Sequence, residues 1–363
     1  MHVVHRVPRL LRRAAALLAT IAATGICGDL TASADEPAPA EEQAPNKPAV
    51  LRETHEASAE VDKPTPTPTP TPAAEESSPR PAPSCPPKKR RGGINPCMTP
   101  DPGFGIYDHW GPGPSIGQVL LPHKGGVTKS GSFDLVVHFH GHDAIRKEFV
   151  KSAEGIVLVG IDLGIGSGAY GSAFSAPYVF TNLLHSIEVA VAKHAGIKTA
   201  KIRKLALSSW SAGYGAVDQI LRQPVSKKID AVILLDSLHA GYVDEQSKTI
   251  KPEQVAPFLD FAKRAADKEA FMFMSHSSIV PPGYASTTEV ADYMVHKLHG
   301  KPHHTSRQDV LGLDMIDRFD KGNFHMRGYT GEDKPDHCAH IGLMTDIIRV
   351  HLEPRWKGPK GRG

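Results

Sequence analysis

Residues 205–215 read Leu-Ala-Leu-Ser-Ser-Trp-Ser-Ala-Gly-Tyr-Gly, an apolar run that passes into small residues and then into a helical pattern. The pattern predicts a strand over 205–208 and a helix over 212–221, joined by a tight turn centred on Ser211. A strand that passes directly into a helix is typical of proteins with a parallel sheet, where chemistry gathers at the carboxyl ends of the strands.

Only small residues fit two positions before and after the centre of such a turn, and here these are Ser209 and Gly213. The turn would expose the Ser211 hydroxyl beside the N-terminus of the helix. The N–H of Ala212 would then point to where an oxyanion forms during acyl transfer. The sequence therefore predicts Ser211 as a nucleophile, although the same small residues would also suit a turn that merely packs a helix on a sheet.

Around this turn, short β-branched runs alternate with helical periodicities from Phe104 onward. Strands are predicted over 116–121, 133–139, 155–161, 205–208, 231–235, 270–274, 314–319 and 324–329, the last two as a hairpin. Helices are predicted over 143–153, 177–195, 212–221, 255–266, 287–298 and 340–352. This alternation predicts an α/β fold, with a mostly parallel sheet flanked by helices on both faces.

The S-x-S-x-G pattern around Ser211 resembles the G-x-S-x-G turn of the α/β-hydrolase superfamily, with a serine in place of the first glycine. The resemblance covers about residues 104–356. It implies the α/β-hydrolase fold, a serine nucleophile, and an acid and a histidine that follow it in that order. It also implies that the His-Gly loop after an earlier strand supplies a second oxyanion donor, for which the N–H groups of His142 and Gly141 are the candidates.

Asp236 is the predicted acid because it directly follows the apolar strand over 231–235. The alternative is that Asp236 merely caps a turn. For the base, the loop before the last helix offers two histidines, of which His340 at the helix entrance is preferred and His337 is the fallback.

Other residues would shape the cleft of such an enzyme. His239, His276 and the segment 281–284 are candidates for its lining, and 164–172 is expected to be a pliable glycine-containing loop over the site. No metal or organic cofactor is expected for the serine mechanism.

A metal-dependent hydrolase is a competing hypothesis. His138, His140 and His142 alternate, so within a strand all three side chains would point the same way, as zinc ligands could. The cluster resembles the H-x-H-x-D-H motif of metallo-β-lactamases, but the aspartate here follows the third histidine. A third hypothesis is a non-catalytic binding domain that retains the hydrolase fold.

The composition of the first hundred residues differs from that of the rest. Residues 1–102 hold none of the 23 aromatic side chains but 18 of the 31 prolines, so this stretch cannot bury enough apolar area to fold. The formal charge of +3 gives no indication about nucleic-acid binding, but the lack of a basic, aromatic-rich motif argues against it.

Residues 1–34 are predicted to be a signal peptide, with a basic start, a 13-residue apolar run too short to span a bilayer, and small residues at 32–34. The protein is therefore expected to be secreted or periplasmic, or alternatively a lipoprotein anchored at Cys27. Residues 35–103 are predicted to be a disordered linker rich in Pro, Thr and Glu, suited to association with an envelope or cell surface. Residues 357–363 form a basic tail.

Three cysteines remain after removal of such a signal. Cys85 and Cys97 could close a small disulfide loop and leave Cys338 over, or Cys338 could pair with one of them. The whole sequence predicts an exported serine hydrolase acting on a small-molecule or polymeric acyl substrate, with an ester preferred as the bond cleaved. The identity of the substrate does not follow from the residues.

Overall fold

The computed structural model describes residues 92–112 and 115–357. The predicted signal peptide, Cys27, Cys85, the linker up to residue 91 and residues 358–363 of the basic tail lie outside the described residues.

The predicted strands occur in the predicted order, together with further strands and helices that were not predicted. The strands are β1 (Gly111–Pro112), β2 (Gln118–Leu120), β3 (Ser132–Phe139), β4 (Ile156–Ile161), β5 (Lys201–Trp210), β6 (Ala231–Leu235), β7 (Tyr242–Asp244), β8 (Thr249–Ile250), β9 (Phe271–Ser277), β10 (His303–Gln308), β11 (Asp314–Lys321) and β12 (Phe324–Tyr329). The main helices are α1 (His142–Phe149), α2 (Ser167–Ala173), α3 (Pro177–His194), α4 (Tyr214–Leu221), α5 (Pro252–Ala266), α6 (Thr287–Lys297) and α7 (Lys334–Ala339).

Within the described residues, ten strands form one sheet in the order β1-β2-β4-β3-β5-β6-β9-β12-β11-β10. The six central strands from β4 to β12 pair in parallel, and the strands at both edges pair antiparallel. The parallel pairing brings the carboxyl ends of β3, β4, β5, β6, β9 and β12 to one edge of the sheet. Function is expected at that edge.

Side chains alternate between two apolar layers, one on each face of the sheet. In β3, Leu135 and Val137 belong to one layer, whereas Val136 belongs to the other. Buried side chains of α2 to α6 cover the first face, and α1 with the C-terminal helical segment covers the second. The structure confirms the predicted α/β class, with a mostly parallel sheet covered by helices on both faces.

The glycine-containing segment 164–172, predicted to be a pliable loop, instead contains helix α2. Helix α2 packs closely on α4, where Gly215 must be small: a Cβ on Gly215 would lie 2.2 Å from the carbonyl oxygen of Ser167. The predicted last helix over 340–352 is a series of short turns with 3-10, α and π geometry, followed by a final α-helical turn over Glu353–Lys357. None of the described helices is long and apolar enough to cross a membrane.

The Cys85–Cys97 disulfide, one of the two pairings considered, does not form, because Cys97 is bonded to Cys338. The other pairing considered, between Cys338 and one of the earlier cysteines, is the one observed. It joins residues 241 positions apart and ties the segment 92–103, predicted to belong to the linker, to helix α7.

Candidate active site

Ser211 lies at the carboxyl end of β5, where the strand passes into a 3-10 turn (Ser211–Gly213) and then into α4. Its backbone has a φ of 49°, a value that a non-glycine residue adopts only at a cost. Position 213 requires a small residue, since a Cβ on Gly213 would lie 2.1 Å from the carbonyl oxygen of Phe139. The predicted strand–turn–helix is therefore present, with Ser211 at its strained centre.

Ser209, which stands where the resembled motif has glycine, is buried and has a hydrogen-bond partner. Its Oγ lies 2.9 Å from Oγ of Ser237, whose hydroxyl donates to the carbonyl oxygen of Ser211 at 2.7 Å. Because the Ser237 proton is used in that bond, the Ser209 hydroxyl donates to Ser237. This chain of hydroxyls holds the turn from the side of β6.

Asp236 follows β6 directly, has a φ of 42° and is buried. Its Oδ1 accepts from the N–H of Ser277 at 2.9 Å and from the hydroxyl of Thr287 at 2.7 Å, and its Oδ2 lies 2.6 Å from Nδ1 of His337. Burial alone would raise the pKa of the Asp236 carboxyl, but the nearby His340 ring, the His337 hydrogen bond and the Thr287 hydroxyl hold it well below its usual range. Asp236 is therefore ionised at neutral pH.

His337 lies in α7, in the stretch that follows β12. Its ring is about 20% exposed, and its Nδ1 is bonded to Asp236. This bond fixes the proton on Nδ1, so Nε2 is left as the basic nitrogen. An aspartate that orients a partly exposed imidazole in this way is the arrangement that a general base requires.

His340, the preferred base in the sequence, is not the histidine that pairs with Asp236. Its ring is fully buried, with Nδ1 2.8 Å from Oγ of Ser275 and with Nε2 lacking a hydrogen-bond partner. Burial lowers the pKa of His340 to about 4, so the ring is neutral at pH 7. His340 follows one helical turn after His337, and this turn carries it into the core beneath Tyr329.

Ser211, Asp236 and His337 line one cavity of about 320 Å³. Its less polar lining residues are Ile279, Pro281 and Tyr284. The remaining lining residues are polar: His239, Ser277, Thr287, Glu332, Asp333 and Lys334. The cavity thus brings the predicted nucleophile, the predicted acid and the fallback base together, and it includes part of the segment 281–284 expected in the cleft.

The two histidines proposed for the cleft have different positions. His239 lines the cavity, where its Nδ1 is 3.0 Å from the carbonyl oxygen of Ala285 and its ring meets Tyr284 edge-on at 5.1 Å. His276 is fully buried between Thr288 and Asp317, with contacts of 2.8 and 3.1 Å, and is not among the lining residues.

The assignment of Gly141 and His142 as oxyanion donors disagrees with the structure. The Gly141 N–H donates to Oδ1 of Asp162 at 2.6 Å, and the His142 N–H donates to Oδ2 at 3.2 Å. Nδ1 of His142 also contacts this carboxylate, and that bond raises the pKa of His142. Since both backbone donors already have an acceptor, Ala212 is the predicted oxyanion donor that remains. It lies within the 3-10 turn that starts at Ser211 and is partly exposed.

Asp162 was missed in the sequence, although its position offered a signal. It follows β4 directly, just as Asp236 follows β6. Burial alone would raise the pKa of Asp162, but the bonds from His142 and from the two N–H groups lower it below its usual range.

The three alternating histidines do not point the same way, because β3 ends at Phe139 and His140 has a φ of 72°. His138 is buried with Nδ1 2.9 Å from Oγ of Ser208 and Nε2 2.7 Å from the carbonyl oxygen of His140. The carbonyl fixes the proton on Nε2, so the lone pair on Nδ1 accepts from Ser208 and is not available to a metal. Within the described residues, no group of three His, Cys, Asp or Glu side chains is arranged to hold a metal ion.

No protein-family model and no curated protein matches this sequence. The solved structures to which this chain is similar include the poly(3-hydroxybutyrate) depolymerase LpqC from Bordetella parapertussis, at 12% identity over 63% of this chain and 84% of that one, with a TM-score of 0.36. An esterase from Pyrobaculum calidifontis is 13% identical over 64% of this chain and 80% of that one, with a TM-score of 0.36. An uncharacterised protein from Capnocytophaga ochracea is 8% identical over 64% of this chain and 59% of that one, less than two thirds of its length, with a TM-score of 0.37. At such low identity and overlap, the roles of the site residues rest on the geometry of this chain.

Proposed function

We propose that this protein is a serine hydrolase that cleaves a carboxylic ester, with Ser211 as nucleophile, His337 as general base and Asp236 as the residue that orients it. The observation that carries the proposal is the 2.6 Å contact between His337 and Asp236 at a cavity that Ser211 also lines. Three residues far apart in sequence meet there, each at the carboxyl end of a strand or in the stretch that follows one.

In the proposed reaction, Nε2 of His337 takes the Ser211 proton as Oγ attacks the ester carbonyl. Asp236, ionised and held by Ser277 and Thr287, stabilises the imidazolium that forms. The Ala212 N–H stabilises the oxyanion, and the imidazolium returns its proton to the departing alcohol. Water, activated by the same histidine, then releases the acid from Ser211.

The lining of the cavity supports an ester with an apolar acyl group, since Ile279, Pro281 and Tyr284 line the same cavity as Ser211. Export to the periplasm or beyond, through the signal peptide at 1–34, is part of the proposal and rests on the sequence alone. So does association with an envelope surface through the linker.

The proposal predicts that a fluorophosphonate probe labels the protein at Ser211 and that Ser211→Ala abolishes labelling. The same substitution should lower kcat for p-nitrophenyl acetate by about 10⁶-fold, because nucleophile, base and acid act as a unit. Mass spectrometry of the labelled peptide and steady-state kinetics provide the two measurements.

Ser278→Ala is the matched control, since Ser278 is an exposed serine next to Ser277 whose hydroxyl lies 3.3 Å from the carbonyl oxygen of Tyr329. It should label and turn over as the wild type does. Labelling at a residue other than Ser211 would refute the assignment, and a protein that neither labels nor hydrolyses would be a binding domain. Activity that survives in Ser211→Ala but is lost with a chelator would favour the metal-dependent alternative.

A further inference from the structure

Trp210 lies next to Ser211 in the chain and contacts His337. It is the last residue of β5 and so precedes Ser211 in the chain. In the parallel register it pairs with Leu235, the residue before Asp236. Trp210 and Leu235 are thus neighbours in the sheet, and each directly precedes one of the proposed catalytic residues, Ser211 and Asp236.

The indole side chain reaches the third residue, His337, in two ways. Its Nε1–H donates to the carbonyl oxygen of His337 at 3.0 Å. Its ring lies against the imidazole, with centroids 4.8 Å apart and planes inclined by 31°. The backbone and the ring of His337 are therefore both constrained by one side chain, in addition to the bond between its Nδ1 and Asp236.

Trp210 is itself held in place by its surroundings. The His140 ring stacks on it with a centroid distance of 5.1 Å and an angle of 15°, and Nδ1 of His140 lies 2.9 Å from the hydroxyl of the buried Tyr170. The indole also packs on Gly141, where a Cβ would lie 2.7 Å from Cε3 of the indole. A half-buried side chain with so many fixed neighbours has few rotamers available.

We propose that Trp210 is a positioning residue that holds His337 in the orientation required for proton transfer, an inference that rests on the proposed function. The bond to the His337 carbonyl fixes the start of the second half of α7, a helix of only six residues. The π-face beside the imidazole favours the cationic ring that forms when Ser211 loses its proton. Neither effect requires that Trp210 contact the substrate.

Trp210→Phe keeps an aromatic face but removes the donor, and Trp210→Leu removes both. The first should lower kcat for p-nitrophenyl acetate by about tenfold, the effect of losing one hydrogen bond in the transition state, and the second by about a hundredfold. KM should stay within about threefold of the wild type in both, because substrate binding does not involve the indole.

Trp110→Phe is the matched control. Trp110 is also half-buried, its ring meets His142 at 5.4 Å, and its Nε1–H donates to Asp143 at 3.1 Å. The Trp110→Phe variant should lose about as much thermal stability as Trp210→Phe and keep kcat within about twofold of the wild type.

The inference is overturned if both Trp210 variants keep kcat within twofold, if KM rises in place of a fall in kcat, or if Trp110→Phe loses as much kcat. If Trp210→Leu does not fold, the Trp210→Phe result decides. Fluorophosphonate labelling of the wild type separates the two proposals. Labelling at Ser211 with unchanged kinetics of the folded Trp210 variants refutes only the role of Trp210, whereas a wild type that does not label refutes both.

Discussion

His337 and His340 lie three residues apart and close to the same carboxylate, that of Asp236, but their surroundings differ. His337 bonds to Asp236 and faces the cavity, whereas His340 is fully buried and reaches the site only through Ser275. Ser275 Oγ also accepts the backbone N–H of Asp236 at 3.1 Å, so His340 supports the loop that carries the acid.

This geometry predicts opposite effects for two alanine substitutions. His337→Ala should lower kcat by about 10⁴- to 10⁶-fold with a small change in Tm, because it removes the base and exposes little apolar surface. His340→Ala should lower Tm measurably and keep kcat within about tenfold, because it leaves a cavity in the core. Kinetics and thermal unfolding of the two purified variants test this, and a complete loss of turnover in a folded His340→Ala protein would restore His340 as the base.

The nucleophile and the acid could be predicted from the sequence because each follows an apolar strand without an intervening residue. The base could not be chosen in this way. His337 and His340 are only one helical turn apart, and the apolar pattern of the sequence does not show where the short helix α7 begins. The oxyanion donors were misassigned for another reason. Asp162, twenty positions after His142, occupies the N–H groups of the His-Gly loop, and such a contact depends on the tertiary fold.

At the scale of the elements, α7 is held by a segment from the opposite end of the domain. The Cys97–Cys338 disulfide attaches the residue next to His337 to the segment 92–103. Asn95 adds a hydrogen bond of 2.7 Å to the carbonyl oxygen of Pro335, at the start of the same helix. Because α7 has six residues, it depends on these attachments more than on its own hydrogen bonds.

We therefore expect the Cys97→Ser/Cys338→Ser double variant to lose both stability and activity. Opening a loop of 241 residues should lower the free energy of unfolding by about 5 kcal/mol in the chain-entropy account. Under conditions where the variant is still folded, kcat should fall because His337 is less firmly placed.

Guanidinium unfolding and ester hydrolysis, each with and without dithiothreitol, provide the measurements. Wild-type protein in reductant should behave as the double variant does, and reductant should leave the double variant unchanged. Equal unfolding midpoints for the oxidised wild type and the double variant would contradict the expectation.

The main secondary-structure elements were predictable because buried parallel strands form short, nearly continuous apolar runs, as in β4 and β6. Helix α2 was not, since its Gly and Ser residues give no amphipathic pattern. The Cys97–Cys338 pairing likewise depends on which segments the fold brings together, and this cannot be predicted from the spacing of the cysteines in the sequence.

At the scale of the whole molecule, the sheet buries several ionisable groups whose protonation differs between the folded and unfolded states. Burial lowers the pKa of His138 to about 3 and that of His340 to about 4, from an ordinary value of 6.5. The pKa values of Asp162 and Asp236 are also lowered, although burial alone would raise both. The bonds from His142 and two backbone N–H groups lower that of Asp162, whereas the nearby His340 and the hydrogen-bonded His337 lower that of Asp236. Only His142, half-buried beside Asp162, shifts upward among these five groups.

These shifts predict how stability depends on pH. An unfolded chain binds protons at His138 and His340 as the pH falls below 6.5, whereas the folded protein does not, so stability is complete above that value and is lost as the pH falls toward 4 and 3. At pH 5 each of these two histidines should lower the free energy of unfolding by about 2 kcal/mol relative to pH 7.5. The pKa of His142 is shifted in the opposite direction, so this residue offsets a part of the loss of stability at pH 5. The two aspartates still contribute fully to stability at pH 5 and lose their contribution only at more acidic pH.

We expect the free energy of unfolding, measured with guanidinium at pH 7.5 and pH 5.0, to be lower at pH 5.0 by a few kcal/mol. His340→Gln removes one of the two buried imidazoles, so the difference between the two pH values should shrink by about 2 kcal/mol even though the variant is less stable at both. His185→Gln is the matched control, since that ring is exposed, and it should leave the difference unchanged. A wild type equally stable at both pH values, or a His340→Gln variant with an undiminished difference, would show that these buried rings take up protons without unfolding.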